Sequence, residues 1–433
     1  MWRITASRAA SRSRRNTSWK LPKDIAHDSS KCSSSSKCWR NEPFESQCRP
    51  RSDNLKRAAE NKGNKNAGNA EAGVRRIKLR RKSVAAAIVA LAVSSGADSC
   101  VKVAAHSAHP DPSRQPIRIV FAGDAMMDGS VKSAIRRRGS ADPYKQVKQD
   151  VRTADWAVVN LETSVTRATE KDPNQWFNFK SNPEALGGLR NAGFDMVSLG
   201  NNHVLDYGRD GLRDTLGYLR RYGLAYVGAG ANENEAYEAR SIRIRGQVIK
   251  IAAFSRFMPT LDWTASGDRS GVASAYDQAR VVRAIREQSA GADYFIVYMH
   301  WGVERNNHPE AWQRLLARRM IDAGADAVVG SHPHVLQGFE FYKSKPIAYS
   351  IGNFLFPDYV RGRRADTGLL KLTLLDGSIG MRFDPYYILD NRIVRRGAAY
   401  ERDQLNYLQN LSFGVRMSGH TVSEWPTTRA KYD

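Results

Sequence analysis

The chain has 433 residues, of which 41% are hydrophobic and 9% aromatic. This supply of apolar side chains is enough for one large domain or two ordinary ones, and it excludes a wholly disordered chain or a collagen-like fibre. Four cysteines are too few for a small disulfide-stabilised scaffold. The net charge of +23 is concentrated at the start, since residues 1–82 hold 22 Lys/Arg against 7 Asp/Glu. The remainder is only mildly basic, so its charge does not predict nucleic-acid binding.

The first hundred residues divide into a basic extension and a segment built like an export signal. Residues 1–74 are rich in Ser, Arg, Lys and Asn without apolar periodicity, which predicts a disordered extension. Either translation starts near residue 70, or this extension is part of the protein. Residues 75–105 contain a positive run, then the ten apolar residues 84–93, then small residues, which is the order found in a secretory signal.

This signal predicts an exported protein, either periplasmic or at the cell surface. Ten apolar residues are too few to cross a bilayer as a stable helix. Cys100 stands where a lipid-modified cysteine would stand, so anchoring through Cys100 or through the signal segment and simple cleavage nearby are alternatives. The chain has no cysteine after Cys100, which excludes a thiolate-bound metal in the body of the protein.

The body of the chain alternates between apolar strands and helices of ten to fifteen residues, which predicts an α/β architecture. After a proline-containing linker at 106–116, the predicted strands are 117–122, 156–160, 196–199, 248–254, 294–299 and 327–329. The predicted helices are 144–153, 183–192, 210–221, 277–288 and 309–323. Four strands close together at 338–342, 347–350, 369–375 and 381–388 predict a second, more antiparallel sheet. The domain is expected to span 117–390, and 391–433 is expected to be a peripheral tail.

Polar residues follow five of the apolar strands, and they are the most informative feature of the sequence. They are Asp124, Glu162, the triplet Asn201–Asn202–His203, His300, and the pair His332 and His334. Since sites in open α/β sheets lie beyond the carboxyl ends of the strands, these side chains are expected to converge. Their oxygen and imidazole groups suit Mn, Fe, Zn or Co. In an extended segment, the spacing of His332 and His334 would also point both rings the same way.

The sequence resembles a known family at this point. The strings GDAMMDG, NLETSVT, SLGNNHVLDYG, HWGVE, GADAVVGSHPHVLQG and YSIGNFLF, within about residues 117–360, resemble the CapA family of capsule and poly-γ-glutamate biosynthesis proteins. That family is related to the calcineurin-like metallophosphoesterases. The resemblance implies a four-layer α/β/β/α sandwich and a divalent-metal site. It also implies an anionic polymer or a phosphoester as substrate and membrane-bound capsule synthesis machinery as a partner.

The resemblance also implies roles for single residues around one or two metal ions. Asp124 matches the first metal-binding acid, and Glu162 stands where the superfamily has a bridging aspartate. Met126 replaces a histidine of the first superfamily motif, so one metal loses a ligand. The remaining implied ligands are Asn202, His300, His332 and His334.

Two classes of function follow from these assignments. In a metal-dependent hydrolase, His203 would protonate the leaving group and Asp206 would orient the imidazole, unless Asp206 serves only as a helix N-terminal acid. Arg167 and Lys180, in the loop region after Glu162, would meet the negative charge of the substrate. The alternative is a non-catalytic cell-surface protein that tethers or exports the polymer. The spare imidazole of His203 favours an enzyme, and the missing ligand at Met126 favours the alternative.

Overall fold

The computed structural model describes residues 115–425, all of which lie in one compact unit, Cys100–Asp433. The predicted disordered extension 1–74, the signal segment 75–105 and nearly all of the linker 106–116 lie outside the described residues. In the described part of the chain, no helix is both long enough and apolar enough to cross a membrane.

Twenty strands and eight helices form the described part of the chain. The strands are β1 (Ile117–Ala125), β2 (Trp156–Leu161), β3 (Ser164–Val165), β4 (Lys180–Ser181), β5 (Met196–Ser198), β6 (Ala225–Val227), β7 (Ala229–Gly230), β8 (Arg240–Ile244), β9 (Gln247–Ser255), β10 (Gly271–Val272), β11 (Tyr294–His300), β12 (Ala327–Ser331), β13 (Phe339–Tyr342), β14 (Lys345–Ala348), β15 (Asn353–Leu355), β16 (Asp366–Leu375), β17 (Ser378–Leu389), β18 (Arg392–Val394), β19 (Val415–Ser418) and β20 (Thr421–Glu424). The helices are α1 (Gly129–Arg138), α2 (Lys148–Arg152), α3 (Ala185–Ala192), α4 (Gly208–Arg221), α5 (Glu233–Tyr237), α6 (Gln278–Ser289), α7 (Ala311–Asp322) and α8 (Ala398–Leu411).

Two mixed sheets form the centre of the protein. The larger has ten strands, in the order β19-β20-β17-β16-β1-β2-β5-β6, with β15 beside β1 and β18 beside β17. The smaller has six strands, in the order β13-β14-β12-β11-β9-β8. Strands β1, β2, β5 and β6 run parallel in the first sheet, and β9, β11, β12 and β14 run parallel in the second. The carboxyl ends of the parallel strands therefore gather at one edge of each sheet.

Alternation along the strands builds four layers, since successive side chains of a strand point to opposite faces. In β11, Tyr294, Ile296 and Tyr298 pack between the sheets, whereas Phe295, Val297 and Met299 pack against α6 and α7. In β1, Ile119 and Phe121 face the second sheet, and Val120 and Ala122 face α1, α3 and α4. The predicted α/β/β/α sandwich is confirmed.

The hydroxyl of Tyr298 joins the two sheets inside this core. It donates a hydrogen bond of 2.9 Å to the carbonyl oxygen of Ala122, and both residues are buried. A buried phenol needs a partner because an unpaired hydroxyl in an apolar environment costs free energy. The bond pins β11 against β1 a few residues before each strand ends at its polar side chains.

The predicted second antiparallel sheet is wrong in its membership. Strands β13 and β14 are antiparallel to each other but extend the six-stranded sheet, whereas β16 pairs with β1, and β17 with β16, in the larger sheet. In the sequence, all four strands are short apolar runs that cannot be told apart by pattern. Which sheet each run joins depends on long-range pairing that short-range periodicity does not encode.

The expectation that 391–433 forms a peripheral tail is also wrong for its described part. Strands β18 and β20 pair with β17, and α8 packs on the same sheet. Leu408, Val415 and Val422 are buried between the two sheets. The apolar residues of α8 recur at Leu405, Leu408 and Leu411, so a narrow buried stripe lies within an otherwise polar sequence.

Candidate metal centre

The candidate site lies where the parallel strands of both sheets end. The face alternation brings Asn160 in β2 and His300 in β11 to the inter-sheet side, as it does Val158 and Tyr298 two residues earlier. Asn160 Nδ2 lies 3.2 Å from His300 Nδ1 and donates a hydrogen bond of 2.8 Å to Asp124 Oδ1. Residues from the two sheets thus meet directly at this edge.

Asp124 is held by the backbone on both sides. Its N–H donates to the carbonyl oxygen of Gly352 at 3.0 Å, and its Oδ2 accepts from the N–H of His332 at 3.2 Å. A register shift between Ala122 and Asp124 in the pairing of β1 with β2 re-aims the strand at this point. Bulges of this kind are frequent next to functional sites.

Two overlapping groups of ionisable side chains form the centre. Asp124, Glu162 and His334 make one group, and Glu162, His300 and His332 make the other, with one potential ligand atom per residue within 4.8 Å of the others. His300 Nε2 lies 3.4 Å from Glu162 Oε1, and His334 Nδ1 lies 3.5 Å from Asp124 Oδ2. Both groups contain Glu162, so its carboxylate is the shared element of the centre.

Asn202 and His332 complete the surroundings of His300. Asn202 Oδ1 lies 2.7 Å from His300 Nε2, and His332 Nδ1 lies 3.1 Å from the same nitrogen. The predicted ligands Asp124, Glu162, Asn202, His300, His332 and His334 are therefore all brought together by the structure.

The backbone at the closing histidines differs from the expected extended segment. His332 and His334 have φ angles of 98° and 57°, and the segment bends instead of continuing β12. The expectation that both rings point the same way is wrong: His332 is directed at His300, and His334 at Asp124 and Asn353. Left-handed backbone at non-glycine residues is strained, and such strain clusters at functional sites.

The donor atoms of the centre fit a divalent cation. Both oxygens of Glu162 and Nε2 of His332 are buried without a hydrogen-bond partner among the described residues. Burial raises the pKa of Glu162 well above its usual range, and the nearby Asp124 carboxyl raises it further. Burial lowers the pKa of His300 and His332 well below their usual range, which keeps both rings neutral. Oxygen- and nitrogen-ligated metals require carboxylates and neutral imidazoles, and the charge of a bound cation would favour the carboxylate form of Glu162 that burial disfavours.

His203 and Asp206 form a pair beside this centre. His203 Nδ1 lies 2.8 Å from Asp206 Oδ2, and Asp206 also accepts hydrogen bonds from the N–H of Phe179 at 2.6 Å and from Gln175 Nε2 at 3.1 Å. The ring of Phe179 packs on the His203 imidazole with centroids 4.3 Å apart. These contacts orient the ring, while its Nε2 has no hydrogen-bond partner in the described part of the chain.

Met126 takes part in apolar packing next to the centre. It is buried in a small cluster with Phe356, Val360, Ala365 and Ile388. The two ligand groups, which share Glu162, come together without a side chain from position 126.

Arg167 and Lys180 lie away from the cavity in front of the centre. Arg167 pairs with Glu184, and the ammonium of Lys180 donates to the carbonyl oxygen of Ala168 at 2.7 Å. A cavity of about 320 Å³ does open beside His203 and His334, and its arginines are Arg305 and Arg364. The positions of Arg167 and Lys180 therefore do not support the substrate-binding roles expected of these two residues.

Sequence reasoning also missed polar residues that organise the site. Asn160 links Asp124, His300 and Asn201, and Asn353 Oδ1 lies 2.8 Å from His334 Nδ1. The available signal was an amide at the end of each apolar run, in WAVVN and in YSIGN.

Fold and site together define a class: an α/β/β/α sandwich with a buried carboxylate–histidine centre that could hold metal ions. The family model described as "Bacterial capsule synthesis protein PGA_cap" matches residues 118–358. The chain belongs to this family. The match spans β1 to the segment after β15 and so contains every residue of the centre.

Individual relatives agree with this family. The "PGA biosynthesis protein CapA" of Bacillus subtilis is 34% identical over 266 residues, covering 61% of this chain and 69% of the relative. The "Capsule biosynthesis protein CapA" of Bacillus anthracis is 31% identical over 268 residues, covering 60% and 65%. A "Probable polyglutamine synthesis accessory protein" of Mycobacterium tuberculosis is 30% identical over 284 residues, covering 61% and 74%.

Solved structures match more weakly. A hypothetical protein from Thermus thermophilus has a TM-score of 0.40 at 17% identity, covering 62% of this chain and 98% of its own. The NAD nucleotidase of Haemophilus influenzae has a TM-score of 0.38 at 12% identity, covering 71% and 57%. Scores this low carry no argument about function.

Proposed function

We propose that the chain is a metal-dependent hydrolase of capsule polymer metabolism that acts on a phosphoester or on the glutamyl polymer. The observation that carries the proposal is the buried carboxylate of Glu162, which has no partner among the described residues and is shared by two ligand groups. Burying an unpaired charge is expensive unless a counter-ion compensates it. The relatives' names, which speak of capsule and PGA biosynthesis, supply the biological setting.

One or two ions of Mn, Fe, Zn or Co would be held by this chain's residues. With two ions, the two ligand groups would divide as follows. Asp124, Glu162 and His334 would hold one ion, and Glu162, His300, His332 and the amide oxygen of Asn202 would hold the other. Bound divalent metals lower the pKa of water toward neutrality and stabilise charge that develops on a reacting oxygen. Asn160 keeps Asp124 and His300 oriented, as residues behind metal ligands commonly do.

His203 would act as the general acid. The Asp206 carboxylate would accept a hydrogen bond from Nδ1–H, so the imidazolium form of His203 would offer its second proton on Nε2, which forms no hydrogen bond with any described residue. During hydrolysis of a phosphoester, the water oxygen would bond to phosphorus, the bond to the leaving oxygen would break, and that oxygen would take the Nε2 proton, while the proton of the attacking water passes to solvent. On the glutamyl polymer, the leaving atom that takes the Nε2 proton would be the amide nitrogen. Asp206 acts through His203 as a positioning residue.

Export and assembly belong to the same proposal. The segment 84–93 would direct the chain out of the cytosol. The capsule polymer and its membrane-bound synthesis machinery are expected at the membrane and outside the cell. N-terminal sequencing of the protein from the producing cell would test this, since an exported chain would begin near residue 100. A cytosolic chain that still begins at Met1 would contradict it.

The test combines metal analysis with a hydrolysis assay on the full chain. Wild type should contain bound metal and hydrolyse a phosphoester or the polymer in a panel. His203→Ala should retain metal and lose activity by about 100-fold or more. His420→Ala is the matched control, because it removes an imidazole that pairs with Asp384 away from the centre. Bound metal without hydrolysis of any substrate would favour the non-catalytic tethering alternative.

A further inference from the structure

The cavity in front of the centre has an unexpected lining for a protein that handles a polyanion. It measures about 320 Å³ and contacts both His203 and His334. Much of its wall is apolar, formed by Phe177, Phe179, Phe356, Tyr359 and Val360. For comparison, an apolar cavity of about 150 Å³ suffices to hold benzene.

The aromatic walls are arranged around open space. Phe179 and Phe356 meet edge to face with centroids 6.5 Å apart, and Phe356 and Tyr359 do so at 6.4 Å. Phe177 and Tyr359, from two different loops, stay 71% and 53% exposed although both line the cavity. Two exposed aromatic rings in the lining of one cavity offer faces on which a further ring can pack, and aromatic contacts of this kind are favourable.

Charge is confined to the rim of this cavity. Arg305 and Arg364 line it together with the carboxylate of Glu304, and Glu304 and Arg305 are exposed. Arg305 has a φ of 64°, and its N–H is tied to the carbonyl oxygen of Pro333 at 2.8 Å. The backbone is thus held in a strained conformation at the residue that presents this guanidinium.

The position of His203 decides which part of a substrate the cavity would receive. Its ring packs on Phe179, a cavity wall, and its unpartnered Nε2 is the proposed proton donor. A general acid must lie within hydrogen-bond reach of the atom that it protonates. The group attached to that leaving oxygen therefore extends into the space that Phe177, Phe179 and Tyr359 enclose.

We propose that this cavity is a leaving-group subsite and that the substrate is a phosphoester whose leaving group carries a planar ring. This inference rests on the proposed hydrolase function. The water oxygen bonds to phosphorus, the bond from phosphorus to the leaving oxygen breaks, and the His203 imidazolium gives that oxygen its proton, while the proton of the attacking water passes to solvent. Contact of this ring with Phe177 and Tyr359 places the ester at the centre and contributes to kcat/KM.

The test compares two phosphomonoesters whose leaving alcohols have similar acidity, 2-phenylethyl phosphate and n-butyl phosphate. Metal-loaded wild type should prefer the ring-bearing ester in kcat/KM. Phe177→Ala and Tyr359→Ala should each reduce that preference roughly threefold to tenfold. Trp176→Ala is the matched control: Trp176 is 94% exposed, neighbours Phe177 and does not line the cavity, so the preference should be unchanged.

A binding measurement separates failure of this inference from failure of the proposed function. 3-Phenylpropylphosphonate and pentylphosphonate are not hydrolysed, so calorimetry can measure their binding alone. Wild type should bind the ring-bearing phosphonate more tightly than pentylphosphonate, and Phe177→Ala should weaken binding of the ring-bearing one. Ring-dependent binding without hydrolysis of either ester would support a ring-binding subsite and refute phosphoester hydrolysis at this centre. Hydrolysis without ring preference, or Phe177→Ala behaving like Trp176→Ala, would overturn the subsite and leave the hydrolase standing.

Discussion

Glu162 is the residue on which both candidate ligand groups depend. It follows β2 directly, is fully buried, and has no hydrogen-bond partner in the described part of the chain for either oxygen. A glutamate in this setting destabilises the empty protein, because its pKa is raised by burial and by Asp124. The same features make it a strong ligand once a cation is present.

Replacing this carboxylate by an amide of equal size tests its role. Glu162→Gln should lower metal affinity more than about 100-fold, because one charged ligand is lost from both groups. In excess chelator, its thermal midpoint should equal or exceed that of wild type, since no unpaired carboxyl remains buried. Metal analysis and calorimetry check both statements.

Glu304→Gln is the control for this substitution, because Glu304 is an exposed acid at the cavity rim and belongs to neither ligand group. It should keep the metal content of wild type. If Glu162→Gln also kept that content, Glu162 would not be a shared ligand.

At the scale of elements, close backbone approaches decide where the edge that carries the candidate centre forms. A Cβ added at Gly123 would lie 1.9 Å from the carbonyl oxygen of Gly352, which accepts the N–H of Asp124. Only glycine lets β1 approach this closely to the turn before β15. The lack of a side chain at Gly123 therefore allows the close approach that positions Asp124.

A pair of glycine substitutions tests this close approach. Gly123→Ala should destabilise the fold by about 3 kcal/mol and weaken metal binding, because β1 must move away from Gly352. Gly217→Ala, within α4, should stabilise the protein by about 0.5–1 kcal/mol, since nothing lies within 4 Å of the added Cβ. Urea unfolding monitored by circular dichroism measures both effects. A neutral Gly123→Ala would contradict the packing described here.

At the scale of the whole molecule, the C-terminal segment closes the space between the sheets. Leu408 of α8 is fully buried in the inter-sheet core, although the surrounding sequence is polar. Leu408→Ala should cost about 2–5 kcal/mol of unfolding free energy, the range found for buried leucines. Leu389→Ala is the control, because Leu389 is 57% exposed and should change stability by less than about 0.5 kcal/mol. Equal effects would mean that α8 is not part of the core.

An ion-pair network also connects the start and the end of the fold. Asp142 is buried and lies within 2.9 Å of the nitrogens of Arg138, Lys145 and Arg392. Burial alone would raise the pKa of Asp142, but hydrogen bonds from Arg392, Lys145 and Arg138 outweigh it and lower the pKa. A depressed carboxyl pKa stabilises the fold above the ordinary aspartate range, and this stabilisation is lost as the pH falls through the folded pKa.

The consequence is a pH-dependent effect of one substitution. Asp142→Asn should destabilise the protein at pH 7, and the difference from wild type should shrink as the pH falls below the ordinary pKa of aspartate. Asp390→Asn should change stability little at any pH, because Asp390 is an exposed partner of the same arginines. Denaturant midpoints measured from pH 7 to pH 3 would check both. A difference that is constant with pH would contradict the network.

The sequence by itself determined the alternating strands and helices, the family, and the six residues that surround the candidate centre. This was possible because buried strands require continuous apolar runs, so that a polar residue ending such a run is conspicuous. The position of each ligand relative to its own strand is local information.

Tertiary structure alone decided how these local pieces meet. Which sheet β16 and β17 join, that α8 is part of the core, and that His332 and His334 bend apart all depend on partners distant in sequence. The same is true of Arg305 and Arg364, which line the cavity where Arg167 and Lys180 were expected. Long-range pairing is governed by packing between whole layers, and a surface arginine carries no local sign of the cavity that it faces.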